Sequence, residues 1–147
     1  MEYRVSLEFS ARLENLARAF SRIWPAFEHA GLPPRMRRRV ELVFEELFSN
    51  TVTHGYKVAE GTAASRDDGS SMVWIELRAT PGQVTMIYQD AAPAFDPLNV
   101  ELPDLTSGAE ERAVGGLGLI MVAKVPQQSR YEYVGGRNVL HLIFNER

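Results

Sequence analysis

The chain has 147 residues, of which 45% are hydrophobic and 24% charged, and it contains no cysteine. This size and composition are typical of one globular domain, here residues 1–147, and the absence of cysteine excludes disulfide scaffolds, thiolate metal sites and cysteine nucleophiles. The formal net charge of −3 argues against a nucleic-acid partner, because phosphate binding depends on clustered Lys and Arg.

The N-terminal segment, MEYRVSLEF, lacks the order of basic, apolar and small residues that a signal peptide shows. No run of about 18 apolar residues, the length needed to span a bilayer, occurs in the sequence. We therefore expect a cytoplasmic protein that has no membrane partner.

The chain begins with a predicted strand and helix. Alternating apolar residues predict the strand at residues 3–9, and Ser10 is the expected N-cap of the helix. Pro25 should kink or divide this helix, and Gly31 should end it. Its apolar residues have three- and four-residue spacing and are Leu13, Leu16, Ala17, Phe20, Ile23 and Phe27.

A second helix is predicted from about Arg35 to Thr53. The basic cluster at residues 35–39 is interpreted as its solvated first turn. Its apolar stripe consists of Met36, Val40, Val43, Phe44, Leu47 and Thr51. Residues 57–71 are small and polar and are predicted to form a flexible connection.

The second half of the chain alternates between hairpins and loops. Strands are predicted at residues 72–79 and 84–88, around a turn at Pro81-Gly82. Residues 90–115 show no period, and a loop of this length is usually functional or mobile. A short helix at residues 116–125 and strands at 129–134 and 138–144 follow, the strands joined by Gly135-Gly136. This order predicts an α+β fold, a two-layer sandwich with helices on one face of a mostly antiparallel mixed sheet.

Three polar residues of the second helix stand four residues apart: Glu46, Asn50 and His54. Residues at this spacing lie on nearly the same helix face, and Asn50 and His54 fall beside the apolar stripe. They are candidate ligand-binding residues at the edge of the core. The alternative is that Asn50 caps a nearby loop and that His54 is a core histidine with satisfied hydrogen bonds.

Two further features suggest a ligand site. Asp90 ends a predicted strand, where its carboxylate can accept a hydrogen bond from an exocyclic amine, although a turn cap is the alternative. Gly115, Gly116 and Gly118 open an apolar helix, whose N-terminus favours anions such as phosphate, although a hinge is the alternative. The segment matches neither the Walker nor the Rossmann pattern.

Taken together, these segments resemble the motifs of a known family. Residues 45–56, EELFSNTVTHGY, resemble the N box of Bergerat-fold ATPases in the Glu-x-x-x-Asn-x-x-x-His-Gly-Tyr form of anti-sigma-factor serine kinases. Residues 90–97 and 111–119 resemble the first and second glycine boxes, and residues 136–140 are typical of the last hairpin. The order and spacing agree over nearly the whole chain, which is similar to this family within the histidine-kinase-like ATPase superfamily.

The resemblance implies a role for each matching residue. Asn50 would coordinate a Mg²⁺ ion that bridges the ATP phosphates, and Glu46 would accept the proton of the attacking serine hydroxyl or orient it. Asp90 would accept a hydrogen bond from the adenine amino group. The remaining ATP-binding residues implied are His54, Ala92, Arg112, Gly115, Gly116, Leu117 and Gly118. Residues 98–114 would form a lid, in which Arg112 either contacts phosphate or pairs with Glu110 or Glu111.

One departure from the family pattern concerns the first glycine box, which normally reads Asp-x-Gly but here reads Asp90-Ala91-Ala92. If the backbone needs a positive φ at Ala92, the strain is on the order of 1–2 kcal/mol. That strain corresponds to an affinity loss of about five- to thirtyfold. We therefore expect ATP binding to be weakened and not abolished.

The resemblance implies an ATP-dependent kinase that phosphorylates a serine on an anti-anti-sigma protein and sequesters a sigma factor in an alternative complex. Family members are often homodimers, so a second copy of the chain is also an expected partner. One alternative is a binding-only regulator, in which the altered glycine box leaves little or no kinase activity. Another is the catalytic fragment of a sensor histidine kinase, which is disfavoured because no helix pair with a phosphoacceptor histidine precedes the first strand.

Overall fold

A computed structural model describes residues 2–56, 71–99 and 116–146 of the chain. Three helices and five strands follow the predicted order, with a short 3-10 segment at Leu13–Asn15 and a π-helical segment at Thr51–Gly55. The helices are α1 (Leu16–Ala30), α2 (Pro34–Asn50) and α3 (Gly116–Lys124). The strands are β1 (Tyr3–Ser10), β2 (Met72–Thr80), β3 (Gln83–Asp90), β4 (Gln128–Val134) and β5 (Arg137–Asn145).

The five strands form one sheet in the order β1-β2-β3-β5-β4, and each of these four pairings is antiparallel. Alternate residues of β2 and β3 are buried, as the period of a half-covered sheet requires. For example, Ile75, Tyr88 and Leu140 lie side by side on β2, β3 and β5 and are all buried. They belong to one core with buried residues of all three helices, so the helices cover one face of the sheet. The predicted α+β fold is confirmed.

The start of α1 differs from the prediction. Ser10 is the last residue of β1 and not a helix N-cap, and its Oγ and carbonyl oxygen accept hydrogen bonds from Asn15 Nδ2 at 3.0 and 2.9 Å. Because the helix begins only at Leu16, the predicted apolar stripe starts too early. Leu13 is 51% exposed and Ala17 is also exposed, whereas Ile23 and Phe27 of the predicted stripe are buried in the core.

Pro25 lies inside α1 without dividing it. A proline in a helix removes one backbone hydrogen bond, a loss that buried neighbours can offset. Ile23 and Phe27 are both buried in the core on either side of it. Gly31 ends the helix as predicted, with a φ of 69° that favours glycine.

The six predicted stripe residues of α2 are all buried, and the helical backbone continues through the π-helical segment beyond the predicted end. The interpretation of residues 35–39 as a solvated turn is wrong for two of the arginines. Arg39 donates to the carbonyl oxygens of Asn145 and Val125 at 2.8 and 3.0 Å. Arg37 stacks on Trp24, with its guanidinium carbon 4.3 Å from the ring centroid.

Both hairpin turns have the predicted glycines at positive φ, namely Gly82 at 85° and Gly135 and Gly136 at 62° and 76°. Most of the two predicted connections, residues 57–70 and 100–115, lies outside the described residues. Across the described ranges, no helix combines the length and apolar character needed to cross a membrane.

Candidate functional site

A cavity of about 460 Å³ opens between the end of α2, the sheet and α3. Its volume lies in the range of about 300–1,000 Å³ that is usual for small-molecule sites. Four of the predicted site residues line it: Asn50, His54, Asp90 and Ala92. Most of the remaining wall is apolar or aromatic and includes Leu47, Tyr88, Phe95, Pro97, Leu119, Tyr131 and Leu140.

Asp90 lies at the end of β3, on the helix-covered face of the sheet, and is 8% exposed. Its Oδ1 accepts hydrogen bonds from Asn138 Nδ2 at 2.8 Å and from the Ala92 amide at 3.2 Å. Its Oδ2 accepts one from Thr51 Oγ1 at 2.8 Å. Each carboxylate oxygen has about two acceptor positions, so Oδ2 retains the capacity to accept from an amino group in the cavity.

Tyr88 extends this network into the core. Its hydroxyl lies 2.7 Å from Thr51 Oγ1. Since Thr51 donates its only proton to Asp90, the Tyr88 hydroxyl donates to Thr51. Burial, with the nearby Asp90 carboxylate, raises the pKa of Tyr88 well above its usual value. Tyr88 therefore keeps its proton at neutral pH, and the donor order from Tyr88 to Thr51 to Asp90 is fixed.

Asn138, near the start of β5, links the sheet to the loop after Asp90. Its Nδ2 donates to the carbonyl oxygen of Ala92 at 3.1 Å as well as to Asp90. Its Oδ1 accepts from the Phe95 amide at 2.9 Å and from the Tyr131 hydroxyl at 2.5 Å. One side chain thus holds both the carboxylate and the loop that borders the cavity.

Tyr56 holds the same loop from the opposite side. Its hydroxyl donates to the carbonyl oxygen of Met72 at 2.8 Å and accepts from the Ala91 amide at 2.6 Å. Partial burial raises the pKa of Tyr56, which keeps the hydroxyl protonated as a donor. The loop after Asp90 is therefore attached to β5 by Asn138 and to the end of the π-helical segment by Tyr56.

Ala92, the departure from the family pattern, is 3% exposed. A Cβ atom built on Gly55 would lie 3.0 Å from the Ala92 Cβ. The Ala92 methyl group is therefore close to the backbone of Gly55, and the missing side chain at Gly55 leaves room for it.

Asn50 and His54 reach the cavity, but Glu46 does not line it. His54 is exposed, so the alternative of a core histidine is wrong. Among the described residues the Asn50 side chain forms no hydrogen bond, which leaves its amide oxygen available to a ligand.

An amide oxygen is a suitable ligand for Mg²⁺, which usually takes few protein ligands and fills its other positions with phosphate oxygens and water. Within residues 2–56, 71–99 and 116–146, no group of three or more His, Cys, Asp or Glu could hold a metal ion. The Asn50 amide oxygen is a single protein ligand of the kind that Mg²⁺ accepts when phosphate and water supply the others.

The glycine-opened helix contributes Leu119 to the cavity wall. Gly116 and Leu117 form the first turn of α3 together with Gly118. Gly115, Arg112 and most of the predicted lid at residues 98–114 lie outside the described residues. Their predicted roles stay predictions.

Three residues that organise the site are not among the predicted site residues: Thr51, Tyr56 and Asn138. Thr51 belongs to the predicted apolar stripe of α2, and a hydroxyl within that stripe is the one local sign of a buried polar partner. Tyr56 stands in the sequence only as the end of a motif. Asn138 could not be identified because its contact with Asp90 depends on the register that pairs these two residues across β3 and β5.

Comparisons with known proteins give a family match and a fold match. Residues 9–144 match the family model described as histidine kinase-like ATPase domain. No curated protein matches the chain. Among solved structures, the chain is similar to the crystal structure of the RsbU and RsbW domains of Rv1364c from Mycobacterium tuberculosis, with a TM-score of 0.59 and 12% sequence identity. The match covers 97% of this chain and 32% of that chain, and at this identity it shows a shared fold.

Proposed function

This chain belongs to the histidine kinase-like ATPase domain family, and from that premise we propose that it is an ATP-dependent anti-sigma regulator. It binds ATP with Mg²⁺ and transfers the γ-phosphoryl group to a serine on an anti-anti-sigma protein. It also sequesters a sigma factor in an alternative complex. We place it in the cytoplasm as a single domain over residues 1–147 that forms homodimers.

One observation carries the ATP-binding part of this proposal. Asn50 from α2 and Asp90 from β3 are 40 positions apart in the sequence, yet both line the same cavity of about 460 Å³, and Leu119 of α3 also lines it. A metal-ligating amide, an acceptor for an amino group and a glycine-opened helix thus surround one space. This combination suits a nucleotide, which carries a base at one end and metal-bound phosphates at the other.

The adenine end of the site is assigned to Asp90. Its Oδ2 accepts from Thr51 and can accept a second hydrogen bond from the 6-amino group of adenine. Guanine carries a carbonyl oxygen at this position, so two acceptors would face each other. Because a buried acceptor without a donor costs about 1–3 kcal/mol, the site should discriminate against GTP.

The phosphate end is assigned to Asn50, with the first turn of α3 nearby. Mg²⁺, when bound, would neutralise charge on the β- and γ-phosphates. Glu46 stands one helical turn before Asn50 and would accept the proton of the attacking serine hydroxyl. Phosphoryl transfer depends mainly on positioning and charge neutralisation, so this small set of groups is sufficient.

A second candidate function, a binding-only regulator, is favoured by one observation. The buried methyl group of Ala92 occupies the place of the usual glycine, two positions after the adenine-reading Asp90. If it restricts the base, nucleotide affinity and turnover fall while the surfaces that bind partner proteins remain. The similarity in fold to a chain that carries RsbU and RsbW domains supports a regulator of this type in either case.

Substitution of Glu46 distinguishes the two functions. Glu46→Ala should retain ATP affinity but lose phosphorylation of the proposed anti-anti-sigma partner, by about 10²–10⁴-fold, because a general base contributes that much. The measurement is transfer of labelled phosphate from γ-labelled ATP to that protein. Glu45→Ala is the matched control, since Glu45 is the exposed neighbour of Glu46.

Unchanged transfer by Glu46→Ala would remove Glu46 from the catalytic role. A wild-type chain that forms the complex but transfers no phosphate would replace the kinase with the binding-only regulator.

A further inference from the structure

Gly118 of α3 lies directly against the side chain of Glu46. A Cβ atom built on Gly118 would lie 1.8 Å from Glu46 Oε2, 2.4 Å from its Cδ and 3.2 Å from its Cγ. Real Cβ atoms essentially never have contacts shorter than 3.0 Å. The Glu46 carboxyl group therefore occupies the volume in which any other residue at position 118 would place its side chain.

The backbone does not require glycine at this position. Gly118 lies inside α3, and its φ is outside the positive range that favours glycine. A glycine within a helix is destabilising relative to alanine. The sequence thus keeps a helix-weakening residue at the point where the carboxylate lies.

A side chain added at Gly118 should displace the Glu46 side chain and leave α3 in place. The helix is anchored by the next residue, Leu119, and by Val122, which are both buried in the core. Glu46 is only half-buried on α2, and its long side chain can rotate away. Alanine at position 118 would thus displace the carboxyl group and leave the fold in place.

We propose that Gly118 is a positioning residue for Glu46, whose carboxyl group reaches its place against α3 only because position 118 has no side chain. This inference rests on the proposed function, in which Glu46 accepts the serine proton. It differs from the usual reason for a glycine at a phosphate site, which is close approach of the ligand to the backbone. The two explanations predict different effects of Gly118→Ala in a chain that lacks the Glu46 side chain.

The test is a double-mutant cycle of the full chain with Gly118→Ala, Glu46→Ala and both together. In the Glu46→Ala background, Gly118→Ala should raise the Tm by about 2–4 °C, because alanine stabilises the helix and meets no carboxylate. In the wild-type background this gain should be lost. The cycle contains its own control, since the helix propensity of alanine is the same in both backgrounds.

The kinetic constants kcat and KM supply a second readout, which a change in stability alone would not alter. Gly118→Ala should lower kcat for phosphoryl transfer by about 10–100-fold, because a misplacement of about 1 Å has effects of this size. The KM for ATP should change by less than about threefold, since the loss lies in the chemical step.

Equal Tm changes in both backgrounds would overturn the inference. So would an equal loss of ATP affinity in both, measured by calorimetry, because the glycine would then serve the approach of the nucleotide. A wild-type chain that transfers no phosphate would contradict the proposed function, while the Tm coupling would still decide whether Gly118 positions Glu46.

Discussion

At the scale of single residues, the site depends on hydrogen bonds that hold one carboxylate in a fixed orientation. Asp90 receives donors from Thr51, Asn138 and the Ala92 amide, all within 3.2 Å. A carboxylate held by three donors cannot rotate freely, so its remaining acceptor position is preorganised for a ligand. Preorganisation of this kind lowers the entropic cost of binding.

Asn138 is the residue whose loss should loosen this arrangement most. Asn138→Ala removes the donor to Asp90 and the links to Phe95 and Tyr131, at a cost of about 2–3 kcal/mol if each bond contributes about 1 kcal/mol. We expect a lower Tm and at least a tenfold loss of ATP affinity by calorimetry. Asn138→Asp should be worse at neutral pH, because it places a second carboxylate 2.8 Å from Asp90 Oδ1 in place of a donor.

Asn145→Ala serves as the control for this pair. Within the described part of the chain, its side chain accepts a hydrogen bond from the exposed Gln83 alone, at 3.0 Å, at the other end of β5. An Asn138→Ala variant with the ATP affinity of wild type would show that the loop and Asp90 do not need this side chain.

At the scale of elements, α2 has two separate tasks at its two ends. Its C-terminal end supplies Asn50 to the cavity, while Arg39 near its start attaches the helix to the far end of the sheet. Arg39 donates to Asn145, Val125 and Gln127, which belong to β5 and to the connection before β4. This attachment helps to hold α2 on the sheet at the end of the helix that is distant from Asn50.

Arg39→Met should therefore reduce stability without removing the site. Loss of several hydrogen bonds to a half-buried charged donor should lower the free energy of unfolding by about 2–4 kcal/mol, measured by urea denaturation. Arg38→Met, at an exposed position, should change it by less than about 0.5 kcal/mol. An Arg39→Met variant as stable as Arg38→Met would show that the contacts of Arg39 are not needed to hold α2 on the sheet.

The elements themselves could be predicted from sequence because their periodicity is local. The buried stripe of α2 agrees with the prediction residue by residue, and the two hairpins have their glycine turns where predicted, with strands one to three residues longer. The start of α1 could not be placed, because the Asn15 side chain bonds back to Ser10 and delays the helix. Which strands become neighbours also could not be predicted, since the β1-β2-β3-β5-β4 order is decided by tertiary packing.

Part of the candidate site was also predictable, because some of its residues belong to local sequence motifs. Asn50, His54 and Asp90 belong to sequence motifs, and the structure brings them to one cavity. Thr51, Tyr56 and Asn138 act through contacts between segments that are distant in sequence, with partners up to 48 positions away. No local pattern encodes such contacts, because they depend on how α2 and the π-helical segment pack on the sheet and, for Asn138, on the register of β3 against β5.

At the scale of the whole molecule, the candidate site and the contacts of Arg39 lie at opposite ends of the sheet. Asn138 and Asn145 lie seven positions apart on β5, which corresponds to about 23 Å at a rise of about 3.3 Å per residue. The cavity lies near Asn138, and the attachment of α2 by Arg39 lies near Asn145. Ligand affinity and global stability should therefore respond to different substitutions.

Binding of nucleotide should stabilise the chain as a whole, because a ligand that binds only the folded state shifts the unfolding equilibrium. Variants that lose the site, such as Asn138→Ala, should show a smaller Tm increase with ATP than Arg39→Met does. The comparison separates loss of ligand contacts from loss of fold in one experiment.

The central claim is that the cavity is an adenine nucleotide site read by Asp90, and isothermal titration of the full chain with MgATP tests it most directly. We predict that wild type binds ATP and discriminates against GTP. Asp90→Asn should weaken ATP binding by about 10–150-fold, since a hydrogen bond to a charged acceptor contributes about 1.5–3 kcal/mol. Equal ATP affinity in wild type and a folded Asp90→Asn variant, or equal affinity of wild type for ATP and GTP, would contradict it.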